Sequence, residues 1–128
     1  MAKMMVAADD DAILSLLEPF LVSLGHEVVS ATSGEEALER MHERPEIVIL
    51  DTMISGMNGL QVLEEIKELA PSTEVIVMTG HDDTGLGIEG LERGAFEYVT
   101  RPLNLDHLKF VLEFKLKQMG MADSQTIS

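Results

Sequence analysis

The sequence predicts an α/β protein built on a doubly wound parallel sheet of five strands, with the unit (βα) repeated five times. Short apolar runs alternate with longer segments in which apolar residues recur every three or four positions, the patterns of buried strands and amphipathic helices. Strands joined through helices run parallel, and the helices cover both faces of the sheet. A chain of 128 residues that is 45% hydrophobic supplies one core. We therefore expect one domain at 1–120 and a tail or the start of a linker at 121–128.

The predicted strands are mostly continuous apolar runs, as strands covered on both faces should be. They are MMVAA at 4–8, HEVVSA at 26–31, EIVILD at 46–51, EVIVMTG at 74–80 and FEYVT at 96–100.

Four of the five predicted helices are defined by apolar residues at helical spacing. These residues are Ile13, Leu17, Phe20, Leu21 and Leu24; Ala37, Leu38 and Met41; Leu60, Leu63, Ile66 and Leu69; and Leu105, Leu108, Leu112, Leu116 and Met119. Gly25 is placed to end the first helix, and Ser33 is placed to cap the second, with Glu36 three residues later. The remaining helix, TGLGIEGLER at 84–93, carries three glycines that each cost roughly 1 kcal/mol relative to alanine. We expect it to be short or mobile.

The charge and the composition disfavour several classes of function. The chain has 9 Lys and Arg against 23 Asp and Glu, a formal charge of −14, which repels nucleic-acid phosphates and anionic membranes. It has no cysteine, so disulfides and thiolate metal sites are excluded. No stretch approaches the roughly 20 apolar residues of a membrane span, and the first residues lack the apolar core of a signal peptide. A cytoplasmic protein that contacts neither nucleic acid nor membrane is the expectation.

Polar residues follow the strands at the edge where a parallel sheet usually binds its ligand. They are Asp9, Asp10 and Asp11 after the first strand, Asp51 at the end of the third, Thr79 at the end of the fourth, and Thr100 and Arg101 at the end of the fifth. Because the carboxyl ends of parallel strands share one edge, these side chains are expected to converge there.

The aspartates predict a site for a hard divalent cation. We interpret Asp11 as the cap of the first helix, while Asp9, Asp10 and Asp51 form an all-oxygen cluster of high negative charge. Mg²⁺ fits this cluster better than zinc does, since no histidine or cysteine lies beside it. A carboxylate beside Mg²⁺ has the chemistry of a nucleophile toward a phosphoryl group, which Asp51 can supply.

Thr79 and Arg101 are candidates for contacts to such a phosphoryl group. The Thr79 hydroxyl either donates to a phosphoryl oxygen or makes a local turn bond. The Arg101 guanidinium suits a carboxylate or a phosphoryl oxygen, and the following Pro102 holds it extended in a position compatible with a cis peptide bond.

Together these motifs resemble the receiver domains of two-component response regulators. The matching stretches are MMVAADDD, VILDTMISGMNGLQVLEEIK, VIVMTGHDD and GAFEYVTRPL, which cover nearly the whole chain. The resemblance implies a flavodoxin-like sheet of order 2-1-3-4-5 and a phosphoryl group accepted on Asp51 from a histidine kinase or phosphotransfer protein. It also implies Mg²⁺ at Asp9, Asp10, Asp51 and the carbonyl of Met53. Thr79 would be the switch hydroxyl, and Tyr98 the aromatic residue that turns inward on phosphorylation.

The sequence departs from the family pattern at two positions. Arg101 stands where the family has lysine, and it either contacts the phosphoryl group or lies across Asp51 and the acid pair without a metal. Ser55 stands where proline is usual, and with Gly56 beside it we expect a looser loop around Met53.

Two other functions remain open. A degenerate receiver would act as a protein-interaction module without phosphorylation. A Mg²⁺-dependent phosphohydrolase would normally carry an acid two residues after its nucleophile, and here that residue is Met53. The loop residues His81, Asp82 and Asp83 are the other nearby candidates for acid and base chemistry, and we interpret them as solvated.

Phe110 and Phe114 lie opposite the leucine stripe of the last helix and are expected to be exposed. The resemblance implies that the face formed by the fourth helix, the fifth strand and the fifth helix carries receiver dimers or output domains. We therefore expect a homodimer or an output contact through these two aromatic residues.

Overall fold

The computed structural model describes residues 1–55, 57–80 and 82–121. Over those ranges, five parallel strands form one sheet, and five α-helices are joined to them in alternation. The strands are β1 (Lys3–Ala7), β2 (Glu27–Ala31), β3 (Ile47–Asp51), β4 (Glu74–Thr79) and β5 (Glu97–Thr100). The helices are α1 (Asp11–Ser23), α2 (Gly34–Glu39), α3 (Gly59–Leu69), α4 (Thr84–Glu92) and α5 (Leu105–Gln118).

The spatial order of the strands is β2-β1-β3-β4-β5, with every neighbouring pair parallel. The predicted fold class and strand order are confirmed, and every strand end lies within one residue of its predicted position. Two small elements were not predicted. They are a 3-10 turn at Arg40–Glu43 and a two-residue antiparallel ladder between Met53–Ile54 and Met57–Asn58.

Apolar residues fill the space on both faces of the sheet. On one face α1 and α5 pack on alternate strand residues, and on the other α2, α3 and α4 pack on the residues between them. Neighbouring residues on β3 show the alternation, because Ile49 belongs to the first cluster and Val48 and Leu50 to the second. Burying one such side chain stabilises the fold by about 1.5–3 kcal/mol. Strands covered on both faces explain the continuous apolar runs.

Two of the predicted helix ends are confirmed and one is wrong. Gly25 has a φ of 94° just after α1, and Ser33 accepts a hydrogen bond from the Glu36 backbone N–H at the start of α2. The prediction that Asp11 caps α1 is wrong. Asp10 is the cap, with extended backbone and its Oδ1 2.8 Å from the Ala12 backbone nitrogen. Asp10 and Asp11 have the same side chain, and either can cap a helix. The residue at which α1 begins therefore decides which of the two is the cap.

The α4 helix is regular over nine residues despite its glycines. Gly87 and Gly90 lie on its buried side, where a Cβ on Gly87 would come within 2.6 Å of the Tyr98 ring and one on Gly90 within 2.9 Å of Val77. A Cβ on Gly85 would meet nothing within 4 Å. Two of the three glycines therefore allow close packing of α4 on the sheet.

None of the helices in the described part of the chain is long and apolar enough to cross a membrane.

Candidate functional site

Backbone hydrogen bonds bring the ends of β3, β4 and β5 together. Thr79 pairs with Thr100 in the ladder, and Asp51 pairs with Met78. The Arg101 backbone N–H then donates to the Thr79 carbonyl at 3.0 Å. The register of the sheet therefore sets the positions of Asp51, Thr79 and Arg101 before any side chain interacts.

Asp51 is a buried carboxylate with a donor on each oxygen. The residue is 2% exposed, its Oδ1 accepts from the Met53 backbone N–H at 3.1 Å, and its Oδ2 accepts from Arg101 Nη2. A buried carboxylate without a cation is strongly disfavoured, because removal from water penalises its charge. In this structure the cation that offsets that penalty is Arg101, whose Nη2 contacts Asp51. The part of the prediction that placed Arg101 across Asp9 and Asp10 as well stays a prediction.

Two donors beside Asp51 have no acceptor. Thr79 Oγ1 and Arg101 Nε are buried, and neither has a hydrogen-bond partner among residues 1–55, 57–80 and 82–121. Thr79 is fully buried, so bulk water does not supply a hydrogen-bond acceptor for its hydroxyl. A buried donor left unpaired costs about 1–3 kcal/mol. The arrangement is suited to an acceptor-rich group placed on Asp51.

The acid pair lies at the same edge but does not join Asp51 in a cluster. Asp9 and Asp10 are exposed after β1, and Asp10 Oδ1 is used to cap α1. Among the residues that the structure describes, no three carboxylate or imidazole side chains are grouped closely enough to hold a metal ion. The donor chemistry nevertheless suits Mg²⁺, because all the candidate ligands are oxygens. The residues fit the ion by type, while the Oδ2 of Asp51 is taken by Arg101.

Met53 contributes its backbone to the site and leaves its side chain in solvent. The Met53 N–H donates a hydrogen bond to Asp51 Oδ1. The residue is 71% exposed. The proposed role of its carbonyl as a metal ligand stays a prediction. Ser55 lies at the turn between the short ladder strands, and Gly56, on which the expectation of a looser loop partly rests, lies outside the described residues.

Tyr98 is part of the second core cluster and packs on α4 rather than on Asp51. In the ladder Tyr98 pairs with Val77, two residues before Thr79 on β4, so Tyr98 and Thr79 belong to the same face of the sheet. The ring lies against the backbone of Gly87. The register therefore connects the sheet edge that carries Asp51 and Thr79 to α4 through β4 and β5.

Asn58 and Gly59, which were not predicted as site residues, lie at the start of α3 next to the backbone that carries Asp51. Asn58 Oδ1 accepts from the Leu60 backbone N–H at 2.8 Å, and the Gly59 N–H donates to the Thr52 carbonyl at 2.9 Å. A Cβ on Gly59 would lie 2.6 Å from Thr52 Cα. Only glycine allows α3 to start this close to the backbone that carries Asp51. The signal was present in the sequence as Asn-Gly directly before a helical apolar pattern.

The aromatic pair on α5 is exposed as predicted. Phe110 and Phe114 are 67% and 55% exposed, and their rings stack with centroids 6.4 Å apart. They line one side of a groove of about 440 Å³ that also includes Phe96, His107 and Lys115.

Asp82 and Asp83 follow β4 in the loop before α4. Asp82 and Asp83 are exposed, in agreement with their interpretation as solvated. His81 lies outside the described residues, and the proposed acid or base chemistry of this residue stays untested.

The sequence matches the family described as the response regulator receiver domain over residues 4–113. Among curated proteins it is 34% identical over 123 residues to the transcriptional regulatory protein ZraR of Escherichia coli O157:H7, an alignment covering 95% of this chain and 28% of that protein. It is 32% identical over 113 residues to a cyclic di-GMP phosphodiesterase of Thermotoga maritima, covering 88% of this chain and 30% of that protein. The chain thus spans less than a third of the length of either relative.

Among solved structures, the receiver domain of NtrX from Brucella abortus superposes with a TM-score of 0.85 at 31% identity. That alignment covers 89% of this chain and 98% of the NtrX domain.

Proposed function

Because the chain belongs to the family of response regulator receiver domains, we propose that Asp51 accepts a phosphoryl group from a histidine kinase or a histidine phosphotransfer protein. The family assigns the chain to two-component signalling. The observation that carries the proposal is the buried Asp51 carboxylate near two buried donors, Thr79 Oγ1 and Arg101 Nε, that have no acceptor within the described ranges of the chain.

The proposed transfer needs little from the protein beyond positioning and charge. An Asp51 oxygen forms a bond to phosphorus while the phosphorus–nitrogen bond of the donor phosphohistidine breaks, and the electron pair stays on the imidazole nitrogen, which takes up a proton. Mg²⁺, when bound, would neutralise charge on the phosphoryl oxygens. Asp9, Asp10, Asp51 and the Met53 carbonyl are the residues that would hold it.

The phosphorylated site would use the groups that lack partners here. A phosphoryl group adds roughly −1.5 to −2 charges, and Thr79 Oγ1 and Arg101 Nε would donate to its oxygens. A hydrogen bond to a charged group contributes about 1.5–3 kcal/mol. Two such bonds are sufficient to shift the population of a two-state element substantially, and Tyr98 with α4 is the element that we propose.

We also propose that the signal leaves through the face of α4, β5 and α5, which contacts an output domain or a second copy of the chain through Phe110 and Phe114. The relatives named above include a transcriptional regulator and a cyclic di-GMP phosphodiesterase, so similarity does not select one output. Receiver domains are signalling modules rather than enzymes, and Asp51 self-phosphorylation and dephosphorylation are the chemistry proposed here. We place this domain at 1–120 and its activity in the cytoplasm.

A second candidate is a receiver that binds partners without being phosphorylated. The contact of Arg101 with Asp51 favours it, because that contact already compensates the buried charge. A Mg²⁺-dependent phosphohydrolase has no such support, since the side chain two residues after Asp51 is a methionine.

Incubation with acetyl phosphate and Mg²⁺, followed by intact mass measurement, tests the proposed function. We expect one added phosphoryl group on the parent chain and none on Asp51→Asn, which keeps the size of the side chain and removes the nucleophile. Thr79→Ala is expected to be labelled, since Thr79 stabilises the product without carrying it. Equal labelling of Asp51→Asn would contradict the proposal, and a parent that is never labelled would favour the second candidate.

A further inference from the structure

We propose that Arg101 is the resting counter-ion of Asp51 and that its guanidinium competes with Mg²⁺ for this carboxylate. The inference rests on the proposed function, because it describes the state of the phosphoacceptor site before the metal binds. It follows from the contact of Arg101 Nη2 with Asp51 Oδ2. Among the described residues, Asp51 also belongs to no group of three acidic or imidazole side chains that could hold a metal ion.

Both carboxylate oxygens of Asp51 already accept a hydrogen bond. Its Oδ1 accepts from the Met53 N–H, and its Oδ2 accepts from Arg101. A divalent cation on the same carboxylate would lie next to the positive guanidinium, and two cations at this separation repel strongly in a buried site. Mg²⁺ must therefore displace Arg101 from Oδ2 to bind Asp51.

Arg101 has the means to leave Asp51 without moving its backbone. Its backbone is fixed by the hydrogen bond to the Thr79 carbonyl, whereas its side chain is partly exposed and uses Nη2 on Asp51. The buried Nε has no partner among the described residues. The guanidinium of Arg101 thus contacts Asp51 through Nη2 alone. Its Nε is left as a donor for a phosphoryl group on Asp51.

Arginine and lysine at position 101 would compete with the metal to different extents. A lysine ammonium is a compact, strongly hydrated charge on a flexible stem, so its withdrawal into solvent costs less than withdrawal of the weakly hydrated planar guanidinium. Lysine at position 101 would keep the positive charge, but Mg²⁺ would displace it from Asp51 more easily than it displaces arginine. Competition between two ligands is reciprocal, so Mg²⁺ weakens the contact of Arg101 with Asp51 as much as this contact weakens Mg²⁺ binding.

Isothermal titration with MgCl₂ at constant ionic strength tests the competition without any phosphodonor. We expect Arg101→Lys to bind Mg²⁺ about tenfold more tightly than the parent, a value within the usual range of coupling between two ligands. Arg101→Gln is expected to bind at least as tightly as Arg101→Lys. Arg93→Gln is the control, because Arg93 caps the end of α4 and pairs with Glu64 and Glu89 away from Asp51. Its affinity should equal that of the parent.

The outcomes separate this inference from the proposed function. An Arg101→Lys affinity within twofold of the parent, or no binding by either protein, would overturn the competition, even if Asp51 is labelled by acetyl phosphate. A tighter Arg101→Lys site in a chain that is never labelled would support the competition and contradict phosphorylation. If Arg101→Gln fails to fold, the Arg101→Lys variant, which retains the charge, still decides.

Discussion

Two buried threonines offer a direct comparison of hydrogen bonding at single residues. Thr73 Oγ1 donates to the Pro45 carbonyl at 2.9 Å, whereas Thr79 Oγ1 has no partner in the part of the chain that is described. Valine has the shape of threonine without the hydroxyl. We expect Thr79→Val to raise the free energy of unfolding by about 1 kcal/mol and Thr73→Val to lower it by about 1 kcal/mol. Urea unfolding of the unphosphorylated proteins measures both changes.

The opposite signs are what make this comparison informative. Equal destabilisation by both substitutions would mean that the Thr79 hydroxyl makes a hydrogen bond in solution. Arg101 Nε would then be the one remaining donor that supports a phosphoryl group on Asp51. Thr79→Ser, which keeps the hydroxyl and loses the methyl group, should not show the gain in stability of Thr79→Val.

For single residues, the sequence predicted which side chains meet at the sheet edge but not the partner of each group. Asp51, Thr79 and Arg101 could be found because each ends or directly follows an apolar strand, and the sheet register then brings them together. The cap of α1 could not be assigned, since Asp10 and Asp11 have the same side chain. The contact of Arg101 with Asp51 depends on side-chain conformation, so the sequence left it as one of two alternatives.

Among the secondary-structure elements, α4 shows how glycine weakens a helix and also allows it to pack. We expect Gly87→Ala to lower the free energy of unfolding by about 1–3 kcal/mol, because its Cβ would come within 2.6 Å of the Tyr98 ring. Gly85→Ala has free space, and we expect it to raise the free energy by about 0.5–1 kcal/mol through helix propensity alone. Urea unfolding of the two variants measures the difference.

A double substitution identifies the cause. Tyr98→Ala should remove most of the penalty of Gly87→Ala, because the clash is with the ring, and the coupling energy of the double-mutant cycle measures this. Additive effects would show that Gly87 is needed for another reason.

Element boundaries were predictable where periodicity and capping agree, and α2 is an example. The Ser33 side chain accepts from the Glu36 N–H, and Glu36 in turn accepts from the Thr32 N–H at 2.7 Å. This backbone hydrogen bond is the main reason that the pKa of Glu36 lies below its usual value. By contrast, the ladder around Met53 and the packing role of Gly87 depend on residues distant in sequence, so local patterns do not reveal them.

For the molecule as a whole, the exposed aromatic pair predicts the state of association. We expect the phosphorylated chain to self-associate, and we expect the double variant Phe110→Ser, Phe114→Ser to do so at least tenfold more weakly. Each phenylalanine that becomes buried in the dimer contact would contribute about 1.5–3 kcal/mol to association. Sedimentation velocity over a range of concentrations, with and without acetyl phosphate, measures the dissociation constant.

Leu16 and Val22 on α1 provide the matched control for this experiment. They are exposed apolar residues on a different helix, so Leu16→Ser, Val22→Ser changes the polarity of the surface without touching α5. Equal association of the parent and the Phe110→Ser, Phe114→Ser variant would eliminate this face as a homodimer contact.

Tyr98 is the one tyrosine of a sequence that has no tryptophan, and its ring lies against Gly87 of α4. The intrinsic ultraviolet emission of the chain therefore comes from the residue proposed to move on phosphorylation. The near-ultraviolet circular dichroism is dominated by the same ring. The protein thus carries an intrinsic optical reporter at the contact between α4 and β5, so a change of that contact is measurable in real time without an attached label.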